Sequence, residues 1–284
     1  MTSKDTTSHG ETAPTPLPPS PFAPDLFQGK RVFITGGGTG LGLEISRRLA
    51  SLGAHVMIGS RNADHHGAFL AEAKAEAWSA SAHVLDVRKL GDIADLVKEL
   101  TADGPIDMLV NNAAGNFVCP AERLSEGAWR AVLGIVLDGT FYCSREFGKS
   151  MIANGGGVML NVVATYAWTG MPGVVHSASA KAGVLAMTRT LAVEWARHKI
   201  RVNAIAPGPF ESKGASGNLW PDSDVKARLM AGIPAGRFAT ASEVADHAVW
   251  LLSGASDYVT GECFTMDGGA SLGRGMWEPG ERVR

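Results

Sequence analysis

The chain has 284 residues, of which 45% are hydrophobic and 19% charged, and its formal net charge is −2. These values are typical of a globular enzyme and, without a long basic run, disfavour a nucleic-acid ligand. No apolar run approaches the roughly 20 residues that span a bilayer, so we expect no membrane partner. Cys119, Cys143 and Cys263 lie far apart without a CxxC pair, which predicts neither a disulfide framework nor a metal site.

The N-terminal segment, residues 1–24, is rich in proline, threonine and serine and contains no arginine. This composition predicts a disordered arm, followed by one folded domain over residues 25–284. The arm lacks the apolar stretch of a secretory signal, and its acidic residues Asp5 and Glu11 are unusual in a transit peptide. We therefore expect the protein in the cytoplasm.

From Lys30 onward, short β-branched runs alternate with longer amphipathic segments. The predicted strands are Arg31–Thr35, His55–Gly59, His83–Val87, Asp107–Val110, Val158–Val163, Arg201–Ile205 and Glu262–Met266. The predicted helices are Leu41–Leu52, Ala63–Trp78, Leu90–Leu100, Glu126–Ala153, Ser177–His198 and Ser242–Ser253. The middle strands are almost continuously apolar, as in strands covered on both faces. This alternation predicts one α/β domain, a Rossmann-type doubly wound parallel sheet of about seven strands flanked by helices.

Two further segments carry specific expectations. The adjacent pair His65 and His66 lies in a polar helical stretch, which favours a solvated helix face over a metal site. Residues 207–234 form the longest insertion after a strand, with a short helical pattern over Asp222–Met230. Ligands of open α/β sheets bind beyond the carboxyl ends of the strands, so this insertion is predicted to be a substrate lid.

A glycine-rich turn joins the first predicted strand to the first predicted helix. Glycines let the backbone turn tightly and approach a pyrophosphate, which then faces the N-terminus of the helix. The sequence therefore predicts a dinucleotide site. Its residues in this turn are Thr35, Gly36, Gly38, Thr39, Gly40, Leu41 and Gly42.

The end of the second strand distinguishes NADP from NAD. NAD-binding Rossmann folds carry an acidic residue here for the ribose 2′-hydroxyl. This chain has Ser60 and Arg61 instead. The serine removes the repulsion that a 2′-phosphate would meet, and the guanidinium offers it several donors, which predicts NADP(H). Asp86 and Val87, at the end of the third predicted strand, are the candidates for the adenine edge.

The motifs in this order resemble the short-chain dehydrogenase/reductase family over Gly29–Gly269. The matching segments are Thr35–Gly42, Asn111–Gly115, Ala180–Gly183, Val202-Asn203, Pro207-Gly208 and Asp267–Gly269. The family's usual catalytic set is Asn, Ser, Tyr and Lys, with the tyrosine four residues before the lysine on one face of a helix. Lys181 matches the lysine.

Three of the four usual catalytic positions are changed in this chain. Ser177 stands where the tyrosine is expected, Ala164 where the serine is expected, and Val136 where the helix asparagine is expected. Ordinary carbonyl or alcohol chemistry is therefore expected to fail. Two explanations remain open at this point: an inactive protein that only binds nucleotide, or an enzyme with a different acid in the same pocket.

Tyr166 is the candidate for that different acid. The chain has three tyrosines, and Tyr142 in the long helix and Tyr258 before the last strand are assigned structural positions. Tyr166 follows Ala164 by two residues, on the loop that leaves the fifth strand. This position borders the expected nicotinamide site.

The segments Asn111–Phe117 and Ser177–Gly183, together with Tyr166, resemble the 2,4-dienoyl-CoA reductases of this family. The resemblance implies NADPH-dependent conjugate reduction of a dienoyl thioester, with Tyr166 and Asn116 as donors to the thioester oxygen, where negative charge develops. It implies that Lys181 holds the nicotinamide ribose and that Ser177 is an active-site hydroxyl. Protonation of the α carbon from water would then yield a 3-enoyl-CoA.

The same resemblance implies the remaining binding residues and an assembly. Further cofactor-binding residues are Asn112, Ala113, Pro207, Gly208, Pro209 and Phe210, with Lys181 shared. Residues implied to contact the acyl-CoA thioester are Arg88, Asn116, Phe117 and Ser125. Relatives form tetramers through the two long helices, so a homo-oligomer is expected. A reductase of other enoyl or carbonyl substrates and a non-catalytic NADP-binding protein remain the alternatives.

Overall fold

The computed structural model describes residues 16–211 and 223–272. In these residues, seven strands form one parallel sheet in the order β3-β2-β1-β4-β5-β6-β9, and β7 and β8 form a separate short ladder. This order confirms the predicted doubly wound sheet. The strands are β1 Arg31–Thr35, β2 His55–Ser60, β3 Ala80–Val84, β4 Met108–Asn111, β5 Gly157–Val162, β6 Ile200–Pro207, β7 Phe210–Glu211, β8 Ala239–Thr240 and β9 Cys263–Met266.

The helices connect successive strands and cover both faces of the sheet. They are α1 Gly40–Ser51, α2 Gly67–Ala75, α3 Leu90–Ala102, α4 Glu126–Leu133, α5 Gly139–Ala153, α6 Tyr166–Thr169, α7 Val175–Trp195, α8 Ser223–Ala231 and α9 Ala241–Leu252. None of the helices in the described part of the chain is long and apolar enough to cross a membrane. Within residues 16–211 and 223–272, no group of three or more acidic, histidine or cysteine side chains could hold a metal ion.

Alternate residues of the central strands pack into two hydrophobic cores, one on each face of the sheet. In β1, Val32 and Ile34 pack under α1 and α9, whereas Phe33 packs on the opposite face, where its ring stacks on Phe147 of α5 at 4.9 Å. All three β1 side chains are fully buried. This is the consequence of strands that are covered on both faces, and it explains why their sequences read as continuous apolar runs.

The predicted long helix Glu126–Ala153 is helical throughout, but its central turn is not α-helical. Residues Gly134–Asp138 form a π-helical turn between α4 and α5. Such a turn is a local insertion in the helical ladder and is frequent at functional sites. Val136, which stands where the family has its helix asparagine, is fully buried in this turn.

The third strand lies three residues earlier than the sequence predicts. The prediction was His83–Val87, but the ladder to β2 pairs Val56 with Ala80 and Ser60 with Val84. The prediction was wrong because Leu85 and Val87 are buried at 2% and 6% exposure in the loop that follows the strand. Apolar residues in a buried loop are indistinguishable by pattern from strand residues.

The helix predicted over Ala63–Trp78 is also shorter than expected. A 3₁₀ turn, Ala63–His65, precedes α2, and the helix ends at Ala75. The turn holds the chain against the glycine-rich loop, since a Cβ on Gly38 would lie 1.9 Å from the carbonyl oxygen of His65. This approach places residues 61–66 beside the expected cofactor site.

Part of the arm and part of the lid lie among the described residues. Residues 16–24 contact the domain: the carbonyl of Pro18 accepts a 2.9 Å hydrogen bond from Arg48, and Phe22 packs against the core. Contacts with the folded domain thus begin before residue 25. Beside the predicted lid segment, residues 207–234, a short ladder pairs Phe210 with Ala239. Arm residues 1–15 and lid residues 212–222 lie outside the described residues.

Candidate active site

The glycine-rich turn is packed so closely that side chains would not fit. A Cβ on Gly42 would lie 2.1 Å from the carbonyl oxygen of Gly36, and Gly36 itself has φ +66°. Glycine tolerates this left-handed conformation without steric cost. The turn therefore presents bare backbone at the start of α1, as a cradle for a pyrophosphate requires.

Two side chains from β1 and β4 hold this turn in place. Asn112 donates from Nδ2 to the carbonyls of Thr35 and Gly36, both at 3.1 Å. The Thr35 hydroxyl accepts from the backbone N–H groups of Asn112 and Ala113, both at 3.0 Å. These bonds join the β1 and β4 ends, so the cradle is organised before any ligand binds.

The N-terminus of α1 is left open toward the cradle. Thr39 precedes the helix in an extended conformation, and its side chain makes no capping hydrogen bond in the described structure. The first N–H groups of a helix have no partner within the helix, and the helix dipole favours an anion at this end. Thr39, Gly40 and Leu41 are therefore placed to bind a phosphate group.

The adenosine end of the expected site is formed by the loops after β2 and β3. Asp86 lies two residues beyond β3, not at its end as predicted. Arg88 donates to its carboxylate from Nε at 2.9 Å and from Nη2 at 2.6 Å. These hydrogen bonds lower the pKa of Asp86. Val87, between them, is buried in the second core.

Arg88 was expected to contact the acyl-CoA, and the structure places it beside Asp86 and the π-helical turn. Its side chain pairs with Asp86 and passes over Gly134 of the π-helical turn, whose Cβ would lie 3.7 Å from its Cδ. The Arg88 side chain is 40% exposed. Its guanidinium can therefore donate to a phosphate while it keeps its hydrogen bonds to Asp86.

His66 is not on a solvated face, which corrects the expectation from the sequence. Its side chain is buried at 7% exposure, and its Nε2 lies 2.9 Å from the Ser60 hydroxyl. The polar neighbours of His66 in the sequence suggested a surface helix, but the 3₁₀ turn before α2 rotates the ring inward. His65, its neighbour, stays exposed.

The structure brings three of the four predicted catalytic residues into contact. Tyr166 is the first residue of α6, and its hydroxyl shares a 3.1 Å hydrogen bond with the Ser177 hydroxyl on α7. Asn116, after β4, donates to the same phenol oxygen over 3.5 Å. Its Oδ1 accepts from the backbone N–H of Phe117 at 2.9 Å, which orients the amide NH₂ group toward Tyr166.

Burial raises the pKa of the Tyr166 phenol, and the hydrogen bonds from Ser177 and Asn116 oppose this increase. The phenol is therefore protonated at neutral pH and available as a donor. Ser177 is only 1% exposed. The three polar groups form a compact donor site at the carboxyl ends of β4 and β5, where charge on a substrate oxygen could be stabilised.

Lys181 lies one helical turn after Ser177 on the same face of α7. Its ammonium donates to the carbonyl of Val162, at the end of β5, over 2.5 Å. The side chain is 6% exposed, and burial lowers its pKa to about 8. A buried cation one turn after Ser177 could supply positive potential to a ribose bound beside it.

The other two tyrosines lie away from this site. Tyr142 packs against the second core. Tyr258 is fully exposed, so the expectation of a structural position is wrong for this residue. Ala164, where the family has its serine, offers no polar side chain. In this part of the described structure, Tyr166 is thus the phenol at the carboxyl ends of the strands.

One residue of the site was missed by sequence reasoning. The ring of His176 stacks on Phe117 at 4.4 Å with an interplanar angle of 20°. His176 is fully buried, and both of its ring nitrogens lack a hydrogen-bond partner in the described structure. Burial lowers its pKa. Its place directly before Ser177 is the signal that could have suggested it.

The loops that carry Asn116 and Tyr166 are joined beyond this stack. The N–H of Cys119 donates to the carbonyl of Gly173 at 2.8 Å, and Gly173 has φ +81°. A Cβ there would lie 2.9 Å from Val118. Val118 and Met171, on these two loops, are exposed apolar residues. They give the mouth of the site a surface that suits an acyl chain.

The remaining predicted residues have clear structural positions. The Ser125 hydroxyl caps α4 by accepting from the N–H of Ala128 at 3.2 Å, and it is exposed. Pro207 ends β6, and Gly208 donates from its N–H to the carbonyl of Met266. A Cβ on Gly208 would lie 2.6 Å from the Asp267 side chain. Pro207 and Gly208 thus run closely along the end of β9, whereas Pro209 and Phe210 turn away to pair with β8.

These features define an oxidoreductase site on a Rossmann fold, and comparison with known proteins specifies it. The family model described as Enoyl-(Acyl carrier protein) reductase matches residues 36–271. A Bacillus subtilis protein named a probable 2,4-dienoyl-CoA reductase, (2E)-enoyl-CoA-producing, is 48% identical over 250 residues, which cover 86% of this chain and 97% of the relative. The peroxisomal 2,4-dienoyl-CoA reductase of Pongo abelii, (3E)-enoyl-CoA-producing, is 39% identical over 88% of this chain and 87% of its own length.

A solved structure supports the fold and the family. The gluconate 5-dehydrogenase of Burkholderia cenocepacia, crystallised with NADP and tartrate, has a TM-score of 0.83 and is 32% identical over 88% of this chain and 99% of its own. The chain belongs to the short-chain dehydrogenase/reductase family. The resemblance to the 2,4-dienoyl-CoA reductases in this family is confirmed by the two curated relatives.

Proposed function

We propose that the protein catalyses NADPH-dependent reduction of 2,4-dienoyl-CoA thioesters to enoyl-CoA in the breakdown of unsaturated fatty acids. The observation that carries this proposal is the contact of Tyr166 with Ser177 and Asn116. Tyr166 of α6 places a phenol in the catalytic pocket, although the usual tyrosine position on α7 is a serine. This arrangement opposes the alternative of an inactive protein, which would have no need of a preorganised donor.

NADP(H) fits the residues that are present. The cradle Gly36–Gly42 and the open start of α1 would hold the pyrophosphate, and Ser60 and Arg61 the 2′-phosphate. Asp86 and Val87 would border the adenine, and Asn112, Ala113 and the run Pro207, Gly208, Pro209 and Phe210 would line the nicotinamide end. When bound, this cofactor supplies a hydride.

The substrate's own electronic structure assigns the donors their role. Addition of hydride at C5 of a 2,4-dienoyl thioester moves an electron pair through the conjugated system onto the thioester oxygen. Tyr166 and the NH₂ group of Asn116 would donate hydrogen bonds to that oxygen and stabilise the extended enolate. Lys181 would orient the ribose and add positive potential. The enolate is then protonated on carbon.

The carbon that accepts the proton determines the product. Protonation at C2, from water at the open side of the site, gives the 3-enoyl-CoA. Protonation at C4 gives the 2-enoyl-CoA. The Pongo relative is named for the first product and the Bacillus relative for the second. We propose the 3-enoyl product, because the proposed donors Tyr166 and Asn116 would gather at the thioester oxygen, which is nearer to C2 than to C4.

The acyl-CoA would enter over the loops after β4 and β5. Phe117, held by its stack on His176, would contact the acyl group, and Arg88 and the exposed Ser125 would contact the CoA moiety. The predicted lid, next to the ladder of Phe210 with Ala239, would face these loops across the substrate. Closure between them would exclude water from the hydride acceptor.

We further propose a homotetramer that assembles through the long helices. Phe141 of α5 is 45% exposed and Val193 of α7 is 81% exposed. Apolar side chains on the outer faces of these helices favour burial against a second copy. Analytical ultracentrifugation tests this arrangement, and Val193→Glu should shift the protein toward smaller species.

A direct assay tests the proposed function. Purified protein is mixed with NADPH and hexa-2,4-dienoyl-CoA, and the loss of NADPH absorbance is followed. Turnover is expected, and mass spectrometry with NMR of the product should show a C3–C4 double bond. If no dienoyl or enoyl thioester supports NADPH oxidation, the protein is a non-catalytic NADP-binding protein. If simple ketones are reduced faster, it is a different short-chain reductase.

A further inference from the structure

The serine at the end of β2 is connected to a buried histidine. His66 Nε2 lies 2.9 Å from Ser60 Oγ, and the imidazole is 7% exposed. An aliphatic side chain would fill a buried position without the desolvation cost of an imidazole. The hydrogen bond to Ser60 offsets that cost and gives the polar ring a role at this place.

The neighbouring atoms determine which group donates in this pair. Ser60 Oγ also lies 2.8 Å from the backbone carbonyl of Asn62. A carbonyl only accepts, so the single hydroxyl proton of Ser60 is directed to Asn62. The proton in the bond to His66 must then come from the ring, which makes His66 the Nε2–H tautomer. Burial, and then the nearby His65 and His83, lower the pKa of His66, so the ring is neutral near pH 7.

This direction of donation suits a serine that binds an anion. With a phosphate at the end of β2, the Ser60 hydroxyl can turn its proton from the Asn62 carbonyl to a phosphate oxygen. It continues to accept from His66, and a chain of two hydrogen bonds directed at the anion polarises each member. If the ring accepted instead, Ser60 would present lone pairs to the phosphate and repel it.

We propose that His66 is a positioning residue that makes Ser60 a hydrogen-bond donor to the 2′-phosphate of NADP(H) and thereby increases the preference over NAD(H). The inference rests on the proposed cofactor site at Ser60 and Arg61. It concerns only cofactor binding and is independent of the acyl substrate.

Three substitutions of His66 separate the donor from the shape of the ring. The amide nitrogen of glutamine in His66→Gln can reach the position of Nε2. In His66→Asn the shorter amide reaches only the position of Nδ1, and His66→Leu fills the space without a donor. Binding of NADPH and NADH is titrated by fluorescence for each variant, and circular dichroism with thermal melting verifies folding.

The expected result is a change confined to one cofactor. His66→Leu and His66→Asn should raise the Kd for NADPH roughly threefold to tenfold, the effect of one lost hydrogen bond. Both should leave the Kd for NADH within twofold. His66→Gln should keep the NADPH affinity of the unmodified protein. If the leucine variant fails to fold, the comparison of the two amide variants still decides.

A double substitution tests whether the effect passes through Ser60. In Ser60→Ala protein, which has no hydroxyl to orient, His66→Asn should cause no further loss of NADPH affinity. The inference is overturned if the unmodified protein prefers NADPH and every His66 variant keeps that preference, if glutamine and asparagine weaken NADPH equally, or if the loss persists without the Ser60 hydroxyl. Equal affinities for NADPH and NADH in the unmodified protein would remove the proposed 2′-phosphate site and the inference with it. Failure of dienoyl-CoA turnover alone would leave these titrations intact.

Discussion

The hydroxyl groups of Tyr166 and Ser177 share a 3.1 Å hydrogen bond across the loop that joins α6 to α7. Ser177 lies one helical turn before Lys181. In the family's usual catalytic set, the position of Ser177 carries the tyrosine. The bond therefore brings the phenol of α6 next to the place that the α7 tyrosine would occupy. It allows the site to keep a phenol and a lysine while the phenol approaches from a different direction.

Removal of the Tyr166 hydroxyl should abolish most of the catalysis. Loss of one preorganised oxyanion donor costs about 10²–10³ in kcat. Tyr166→Phe should lose that much dienoyl-CoA reduction while its Kd for NADPH hardly changes, as measured by steady-state kinetics and fluorescence titration. Tyr258→Phe, at a fully exposed tyrosine, is the matched control and should keep full activity. Reduction at the original rate by Tyr166→Phe would disprove the role of the phenol.

Asn116 and Tyr166 should act as a unit. Asn116→Ala should lower kcat by a factor comparable to that of Tyr166→Phe, and the double variant should lose less than the product of the two factors. Both donors stabilise one oxygen, so removing the second donor costs less once the first is gone. Ser177→Ala should have a milder effect, because Tyr166 and Asn116 remain as donors when the serine hydroxyl is removed. Independent, fully multiplicative losses in kcat would show that the two residues serve different steps.

Lys181 should make cofactor binding depend on pH. Burial lowers its pKa to about 8, so the ammonium is present below this pH and is lost as pH rises through it. The affinity for anionic NADPH should therefore decrease across this range. Lys181→Met should bind NADPH more weakly, turn over poorly and lack this transition. The Kd for NADPH is measured between pH 6.5 and 9.5, a range that extends on the order of 1.5 units to either side of this pKa. Identical pH profiles for the unmodified protein and Lys181→Met would contradict the role of Lys181.

Arg61 should distinguish the two nicotinamide cofactors. A hydrogen bond to a charged group contributes about 1.5–3 kcal/mol, so Arg61→Ala should weaken NADPH by roughly 10- to 150-fold. NADH, which has no 2′-phosphate, should bind almost as before. Arg197→Ala, at an exposed arginine just before the opposite end of the sheet, is the control. An equal loss for both cofactors would point to a structural role of Arg61.

Gly42 should not tolerate even a methyl group. A Cβ there would lie 2.1 Å from the Gly36 carbonyl oxygen and 2.4 Å from Asn112 Nδ2, so Gly42→Ala must displace the cradle. NADPH binding should be lost, and the melting temperature should fall. Gly91→Ala in α3 is the matched control: its Cβ meets nothing within 4 Å, and alanine stabilises a helix by about 0.5–1 kcal/mol relative to glycine. Normal NADPH binding by Gly42→Ala would refute the cradle.

The sheet, the glycine-rich turn and the family could all be predicted from local sequence patterns. Hydrophobic periodicity and glycine positions are local properties, and they identified β1, β2 and the turn between β1 and α1 within a residue. Where burial came from a loop rather than a strand, as at Leu85 and Val87, the same local pattern placed β3 incorrectly. The sequence also identified Tyr166 and Asn116 as candidates, because motif order placed both at the carboxyl ends of adjacent strands.

The contacts between the site's side chains could not be predicted in this way, because they depend on how the chain packs. The hydrogen bond between Tyr166 and Ser177, the stack of His176 on Phe117, and the bond from His66 to Ser60 join residues on different elements or across a turn. None of these contacts has a periodic signal, since each depends on the direction in which a loop leaves a strand and on the side-chain rotamer that packing permits. A buried histidine and a solvated histidine look alike in a sequence, because burial is a property of the packed chain around the ring.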